Sequence, residues 1–146
     1  MGQLLFGFSG RLPRLRYFLL SLIPAILAFG TGIILAVDFA SGLAGIHEPA
    51  LIACAALFLL AGIVGLSLTV RRLHDLGLTG WWILAIWIVP SAIEAGAVQL
   101  ANNPQLGSTL SSATALVIGL WLWLAPGTRG SNRFGPDPRS ARSAGA

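Results

Sequence analysis

The densest group of polar side chains lies midway along the chain, in the sequence R-R-L-H-D-L-G-L-T-G-W-W at residues 71–82. A histidine beside a carboxylate, as in His74 and Asp75, could act as a general base with an orienting acid. Neighbouring residues on a helix point about 100° apart, however, and no activated serine or cysteine motif accompanies the pair. The sequence therefore predicts no catalytic residue and no enzyme activity.

The same residues are explained by a tight turn at a membrane surface. Arg71 and Arg72 precede Asp75 by four and three positions, so either guanidinium can pair with the carboxylate on one helical face. Gly77 is suited to end the helix, because glycine readily adopts the left-handed conformation of a C-terminal cap. The pattern predicts a helix that continues through Asp75 into a short polar turn.

A second polar segment, G-T-R-G-S-N-R-F-G-P-D-P, occupies residues 127–138. Its glycines and prolines indicate an irregular, turn-rich structure, and it lacks the Gly-Lys-Ser/Thr sequence of a phosphate-binding loop. We predict that Phe134 wedges between the inner helix ends. We also predict that Arg133 pairs with Asp75 and that Asp137 pairs with Arg71 or Arg72.

Four apolar runs must position these two segments. They lie at residues 17–37, 50–70, 81–101 and 106–126, in a chain with 55% apolar residues and a mean hydropathy of +0.82. A helix of about 21 residues is about 31 Å long, which matches the roughly 30 Å hydrocarbon core of a bilayer. We predict an all-α membrane protein, a bundle of four antiparallel transmembrane helices. It forms one domain at residues 1–138, followed by a flexible cytoplasmic tail at 139–146.

The arginines predict the orientation of this bundle. All nine arginines lie before the first run, between the second and third, or after the fourth, and the other two connections contain none. Positively charged loops remain in the cytoplasm, so we expect both termini there. Trp81 and Trp82 lie at the same boundary, where indole rings favour the headgroup level. Since the basic charge flanks membrane spans, we do not expect nucleic acid as a partner.

Glu94 is the one charged residue inside a predicted span. A carboxylate at the bilayer centre costs about 2.5–3.5 kcal/mol, and less near an interface. Three interpretations stay open: the side chain reaches the outer surface, bonds inside the bundle, or forms part of an ion route. No metal site is predicted, because His47 and Glu48 fall on the opposite side of the membrane from His74 and Asp75.

Small residues spaced four apart occur in three of the apolar runs. Such pairs allow helices to approach closely in lipid, although alanine and glycine are also simply frequent in this chain. The pairs are Ala61 with Gly65, Ala92 with Gly96, and Ala115 with Gly119.

The two polar segments, with F-S-G-R-L-P-R-L-R-Y-F at residues 8–18, resemble the domain-of-unknown-function family numbered 805. In these small bacterial inner-membrane proteins a Gly-Arg-rich approach to the first span, an Arg-Arg-Leu-His-Asp turn with Gly-Trp-Trp, and an Asn-x-Phe-Gly-x-x-Pro tail recur in this order. The resemblance covers about residues 6–138 and implies a multi-pass protein of the bacterial inner membrane. It brings no established activity, catalytic residue or cofactor.

We predict a non-catalytic protein whose arginine-rich cytoplasmic face docks a protein partner or anionic lipid headgroups. Asp75 and Asp137 cannot neutralise nine arginines on one side of the membrane, so a positive surplus remains. The predicted docking residues are Arg14, Arg71, Arg72, His74, Asp75, Asn132 and Arg133. The predicted structural residues at the interface are Trp81, Trp82, Phe134 and Gly135.

Two other hypotheses stay open at this point. One is a purely structural protein in which every motif serves assembly. The other is an oligomeric transporter or channel component that uses Glu94 as an intramembrane polar site. The partners we expect are therefore the lipid bilayer, its anionic headgroups, and a membrane-protein partner or a second copy of the chain. We expect no cofactor.

Overall fold

The computed structural model describes residues 5–41 and 48–138, and within them four long helices follow one another. They are α1 (Arg14–Ser41), α2 (Glu48–Asp75), α3 (Trp82–Ala101) and α4 (Pro104–Leu124). Each contains a stretch long and apolar enough to cross a membrane. The predicted all-α membrane bundle of four spans is therefore confirmed. The predicted tail at 139–146 and loop residues 42–47, with His47, lie outside the described residues.

The helices extend beyond the apolar runs at the end that carries the arginines. α1 begins at Arg14 and α2 continues to Asp75, so both arginine groups belong partly to helices. As predicted, Gly77 ends α2, with φ +80°. The Leu78 N–H donates to the Leu73 carbonyl at 2.9 Å and the Gly77 N–H donates to the His74 carbonyl at 3.1 Å, the two bonds of a Schellman cap.

A two-residue connection joins α3 to α4 at the opposite end of the bundle. Asn102 follows α3 in the left-handed conformation, with φ +48°. The Asn103 side chain accepts the Leu106 N–H at 2.9 Å, and Pro104 is the first helical residue, where its missing N–H costs no bond. The connection is short because the Asn103 cap and Pro104 begin α4 immediately after Asn102.

The four helices pack as two pairs, α1 with α2 and α3 with α4, and the pairs contact each other less extensively. Gly65 faces Pro24, where an added Cβ would lie 3.9 Å from the proline Cβ. α3 and α4 approach closely at Gly107, where an added Cβ would lie 2.9 Å from the Glu94 carbonyl oxygen. Gly96 and Gly119 face open space, so only the Ala61 and Gly65 pair of the three predicted ones lies at a helix contact.

The apolar core lies near one end of the bundle, where α1 and α3 begin and α2 and α4 end. We call this end, with its flanking segments, the arginine end. Most large apolar side chains elsewhere on the spans are exposed on the protein surface and are solvated by lipid tails in a membrane. The buried core residues are Leu12, Tyr17, Val64, Leu68, Leu73 and Leu122.

Candidate functional site

A buried carboxylate between two guanidinium groups forms the centre of the arginine end. The Arg11 Nε donates to Asp75 Oδ1 at 3.1 Å, and the Arg72 Nη1 donates to Asp75 Oδ2 at 2.7 Å. The side chains of Arg11, Arg72 and Asp75 are only 1%, 0% and 2% exposed, respectively. We call these three residues the arginine clamp. Ions removed from water are tolerated only when opposing charge and hydrogen bonds compensate them. Here Asp75 balances one of the two guanidinium charges, and backbone carbonyls accept hydrogen bonds from both guanidinium groups.

Arg72 also ties the end of α2 to the end of α4. Its Nε donates to the Leu122 carbonyl at 2.7 Å, and its Nη2 donates to the Ala125 carbonyl. The last carbonyls of a helix have no intrahelical partners and carry the negative end of the helix dipole. A cation that bonds them therefore stabilises the C-terminal end of α4.

Arg11 ties the segment before α1 to the segment after α4. Its Nη1 donates to the Gly130 carbonyl, and its Nη2 donates to the carbonyl and the hydroxyl of Thr128. The Thr128 N–H in turn donates to the Asp75 carbonyl at 2.8 Å. The backbone of the first segment is also held, since the Leu12 N–H donates to the Arg71 carbonyl at 3.1 Å. Three segments distant in sequence thus meet at Asp75.

Gly127 passes directly over the clamp. A Cβ built at this position would lie 2.0 Å from Asp75 Oδ2 and 2.6 Å from its Cγ. No side chain fits there while the carboxylate keeps its two ion pairs. The glycine is required by this close approach and not by its backbone dihedral angle.

The segment after Gly130 folds back against the end of α2. The Asn132 side chain donates to the His74 carbonyl at 2.9 Å and to the Thr128 hydroxyl at 3.0 Å. Asn132 and Gly135 exchange backbone hydrogen bonds of 3.0 Å each way, with Gly135 at φ +140°. The residues N-x-F-G thus form a tight turn, which Asn132 fastens to α2.

Phe134 stacks on His74 and does not wedge between helix ends as predicted. The two rings are nearly parallel, with centroids 4.0 Å apart and 7° between planes. His74 donates from Nδ1 to the Gly10 carbonyl at 3.2 Å, so the ring is held from both sides. The Arg133 guanidinium lies 4.7 Å from the Phe134 ring centroid, a cation–π contact.

The predicted pairing of Asp75 with Arg133 is replaced by the clamp. Arg133 donates instead to the Gly77 carbonyl at 3.3 Å, while Asp75 bonds Arg11 and Arg72. Arg11 was absent from the predicted set, because nothing in the local sequence distinguishes it from Arg14 and Arg16. Its burial depends on contacts with residues more than 60 positions away.

The predicted docking residues thus divide into three groups by their exposure. Arg72 and Asp75 are buried, Arg71, His74 and Asn132 are half-buried, and Arg14 and Arg133 are exposed. Outside the predicted set, Arg16 and Arg129 are exposed as well. Trp81 and Trp82 are 78% and 53% exposed, which suits rings that face headgroups.

Two clefts lie side by side where α1 begins and α4 ends, and both are lined by Arg14 and Leu15. The first has a volume of about 260 Å³ and the second of about 250 Å³. The first is lined by Pro13, Arg14, Leu15, Arg16, Asp75, Pro126, Gly127 and Pro138. The second is lined by Arg14, Leu15, Phe18, Trp123 and Leu124.

Neither a metal centre nor an intramembrane polar network is visible in the described parts of the chain. No group of three or more His, Cys, Asp or Glu side chains is close enough there to hold a metal ion. The Glu94 side chain is exposed on α3, and its backbone carbonyl faces Gly107. Glu94 therefore takes no part in the arginine clamp.

The comparisons with known proteins agree with this architecture. Inner membrane protein YhaI of Escherichia coli K12 is 31% identical over 134 residues, which cover 91% of this chain and 86% of YhaI. YhaI of Escherichia coli O157:H7 matches to the same extent. No solved structure matches at comparable significance. The family described as proteins of unknown function, DUF805, matches residues 5–136. This chain therefore belongs to the DUF805 family and is a multi-pass inner-membrane protein.

Proposed function

We propose that this protein is non-catalytic and that its arginine end, in the cytoplasm, docks anionic lipid headgroups. One observation carries the proposal: Arg14, Arg16, Arg129 and Arg133 are all exposed there, whereas the Asp75 carboxylate is buried between two arginines. The exposed positive charge therefore meets little opposing charge within the chain. The other carboxylate at this end, Asp137, already accepts the Gly130 N–H at 3.0 Å.

The buried clamp supports docking without taking part in it. Because Arg11, Arg72 and Asp75 satisfy one another and nearby carbonyls, they hold the flanking segments in one arrangement. A rigid backbone presents the exposed arginines at fixed positions. Each such arginine near an anionic membrane surface contributes about 1 kcal/mol to the attraction.

Lipid headgroups suit this surface better than a soluble acidic partner does. The exposed arginines flank the ends of apolar spans, so they lie at the level of the headgroups without any further assembly. The exposed indoles of Trp81 and Trp82 occupy the same end and have the same preference. A protein partner is the competing outcome of the experiment that follows.

The experiment measures lipid preference in bilayers that contain the full chain. We expect the protein to prefer spin-labelled phosphatidylglycerol over spin-labelled phosphatidylcholine among its motionally restricted lipids, and salt to weaken this preference. Replacing Arg14, Arg16, Arg129 and Arg133 together by alanine should abolish it. The matched control replaces all four by lysine, which keeps the charge.

Three results would overturn the proposal. One is an equal preference of the wild type for the two lipids. Another is an unchanged preference in the alanine variant. The third is loss of a protein crosslink in that variant while its lipid preference persists, which would assign the surface to a protein partner.

The alternative of an oligomeric transporter or channel has one observation in its favour. The Glu94 side chain is exposed on the surface of a single bundle within a span, where a second copy of the chain could cover it. Proton or ion flux in proteoliposomes that the Glu94→Gln variant abolishes would support a transport role. Intact flux in that variant would remove the main support for this alternative.

A further inference from the structure

The two adjacent clefts at the arginine end differ in chemistry and meet at Arg14. The first lies beside the buried clamp and is lined by charged residues together with prolines and a glycine. The second lies between the first turns of α1 and the last turn of α4 and is mainly apolar. Since α1 and α4 are membrane spans, the pair of clefts lies where headgroups give way to hydrocarbon.

The first cleft favours an anion. Arg14 and Arg16 line it with exposed guanidinium groups. Its one carboxylate, Asp75, is bonded by Arg11 and Arg72, so the five charged side chains together carry a positive surplus. Guanidinium groups bind phosphate oxygens through paired, charge-assisted hydrogen bonds.

The second cleft favours an alkyl chain. Leu15, Phe18 and Leu124 are exposed along it, and Trp123 forms its wall. The Phe18 and Trp123 rings meet edge to face, with centroids 5.1 Å apart and 86° between planes. This geometry gives a shaped apolar wall at the level where a lipid tail begins.

We infer that one anionic phospholipid binds across both clefts. Its phosphate bonds Arg14 and Arg16 in the first cleft, and one acyl chain lies along Phe18 and Trp123 in the second. The positive surplus disfavours a lipid whose headgroup carries its own cation, because choline would be repelled by the arginines. This inference rests on the proposed headgroup docking and adds a single site of defined position to it.

The test is native mass spectrometry of the full chain in detergent, with phosphatidylglycerol or phosphatidylcholine added. We expect wild-type protein to retain one phosphatidylglycerol molecule in preference to phosphatidylcholine. The Arg14→Ala and Arg16→Ala double variant should bind it about 25-fold more weakly, at about fivefold for each arginine near an anionic group. Soluble glycerol phosphate should not displace the lipid, since it lacks the acyl chain that the second cleft holds.

The matched control is the Arg129→Ala and Arg133→Ala double variant, which removes the same charge from the same end but touches neither cleft. Because Arg129 and Arg133 attract headgroups only from outside the clefts, this variant should weaken retention of the single lipid much less than the Arg14 and Arg16 variant does. A further variant, Leu124→Glu, places a carboxylate in the second cleft and should weaken binding of the acyl chain without removing any arginine. Each variant should elute as one folded species, because all of these side chains are exposed.

The outcomes separate this inference from the proposed function. Equal weakening in the two double-arginine variants would overturn the single site, while general headgroup docking would stand. Displacement by glycerol phosphate would also overturn it, since the site would then be one for a free phosphate. Equal binding of the two lipids to the wild type in detergent would overturn the site, and the same equality in bilayers would overturn headgroup docking as well.

Discussion

The Asp75 carboxylate is the residue on which the arginine end depends most. It accepts one guanidinium bond on each oxygen, and its backbone carbonyl accepts two bonds from Thr128. An ion pair of this kind does not add much stability over a well-packed apolar core. Removing one partner is costly, however, because loss of Asp75 leaves two buried cations without compensation and loss of an arginine leaves buried acceptors without a donor.

We predict that Arg11→Ala destabilises the protein by about 1–3 kcal/mol, the usual cost of a buried acceptor left without its donor, because Arg72 still balances the charge of Asp75. The carbonyls of Thr128 and Gly130 lose their donor at the same time. The matched control is Arg14→Ala, whose side chain is exposed and should change stability by less than about 0.5 kcal/mol. Thermal unfolding in detergent measures both. Equal unfolding temperatures would contradict the clamp.

We also predict that Gly127→Ala destabilises the protein by at least about 3 kcal/mol. The new methyl group would lie 2.0 Å from Asp75 Oδ2, so the carboxylate must leave its arginines or the chain after α4 must shift. Gly119→Ala is the control, because a Cβ there meets open space and alanine favours a helix. An unchanged melting temperature for the Gly127 variant would show that the close approach is not rigid.

At the scale of the elements, each helix pair is held by close approach at a small residue. Gly65 on α2 lies against Pro24 on α1, and Gly107 on α4 lies against the backbone of α3 at Glu94. Without an apolar driving force between helices in lipid, packing at such points supplies much of the attraction. The glycine at the α3–α4 contact was not among the predicted pairs, because its partner is a backbone carbonyl and not another small residue.

The Gly107→Ala variant should separate α3 from α4 near Glu94. The added Cβ would lie 2.9 Å from a carbonyl oxygen that belongs to helix backbone and cannot rotate away. Overpacking of this size costs about 1–3 kcal/mol. Gly96→Ala is the matched control on the opposing helix, since its Cβ meets open space. A crosslink between cysteines introduced on α3 and α4 should form more slowly only in the Gly107 variant, and equal rates would contradict the contact.

At the scale of the whole molecule, the densest packing lies at the same end of the bundle as the arginines. The buried core and the clamp lie together at one end, while most of the span surface is exposed. Lipid can solvate apolar side chains, so the rest of each span needs no dense core. The arginine end needs a dense core, because the backbone N–H and C=O groups of its irregular segments require hydrogen-bond partners within the protein.

The positive charge of the arginine end predicts its side of the membrane. A fluorescent reporter fused after Ala146 should be active in the cytoplasm, and a phosphatase that needs the periplasm should be inactive at the same position. Moving both reporters to the connection at Asn103 should reverse the result, since that turn lies at the opposite end of α3 and α4. Periplasmic activity at Ala146 would overturn the orientation and the docking surface with it.

Much of the fold could be predicted from the sequence, because a bilayer requires each span to be long and apolar enough to cross it. Four apolar runs of membrane-spanning length predicted four transmembrane helices, and the structure has a helix at each run, with α1 and α2 longer than predicted. The cap at Gly77 was also predictable, since a left-handed C-cap depends on nearby residues only. The i and i+3 spacing likewise put Arg72 within reach of Asp75.

The sequence by itself thus determined what depends on neighbours along the chain: the number of spans, the cap at Gly77 and the charged flanks of the spans. Only the tertiary structure decided which arginines are buried and which remain exposed. Arg11 and Arg14 are alike in type and setting, yet Arg11 is enclosed by the Asp75 carboxylate and by carbonyls from the segment after α4. The physical reason is that burial of a charge depends on partners assembled from distant segments, and these meet only when the helix ends come together.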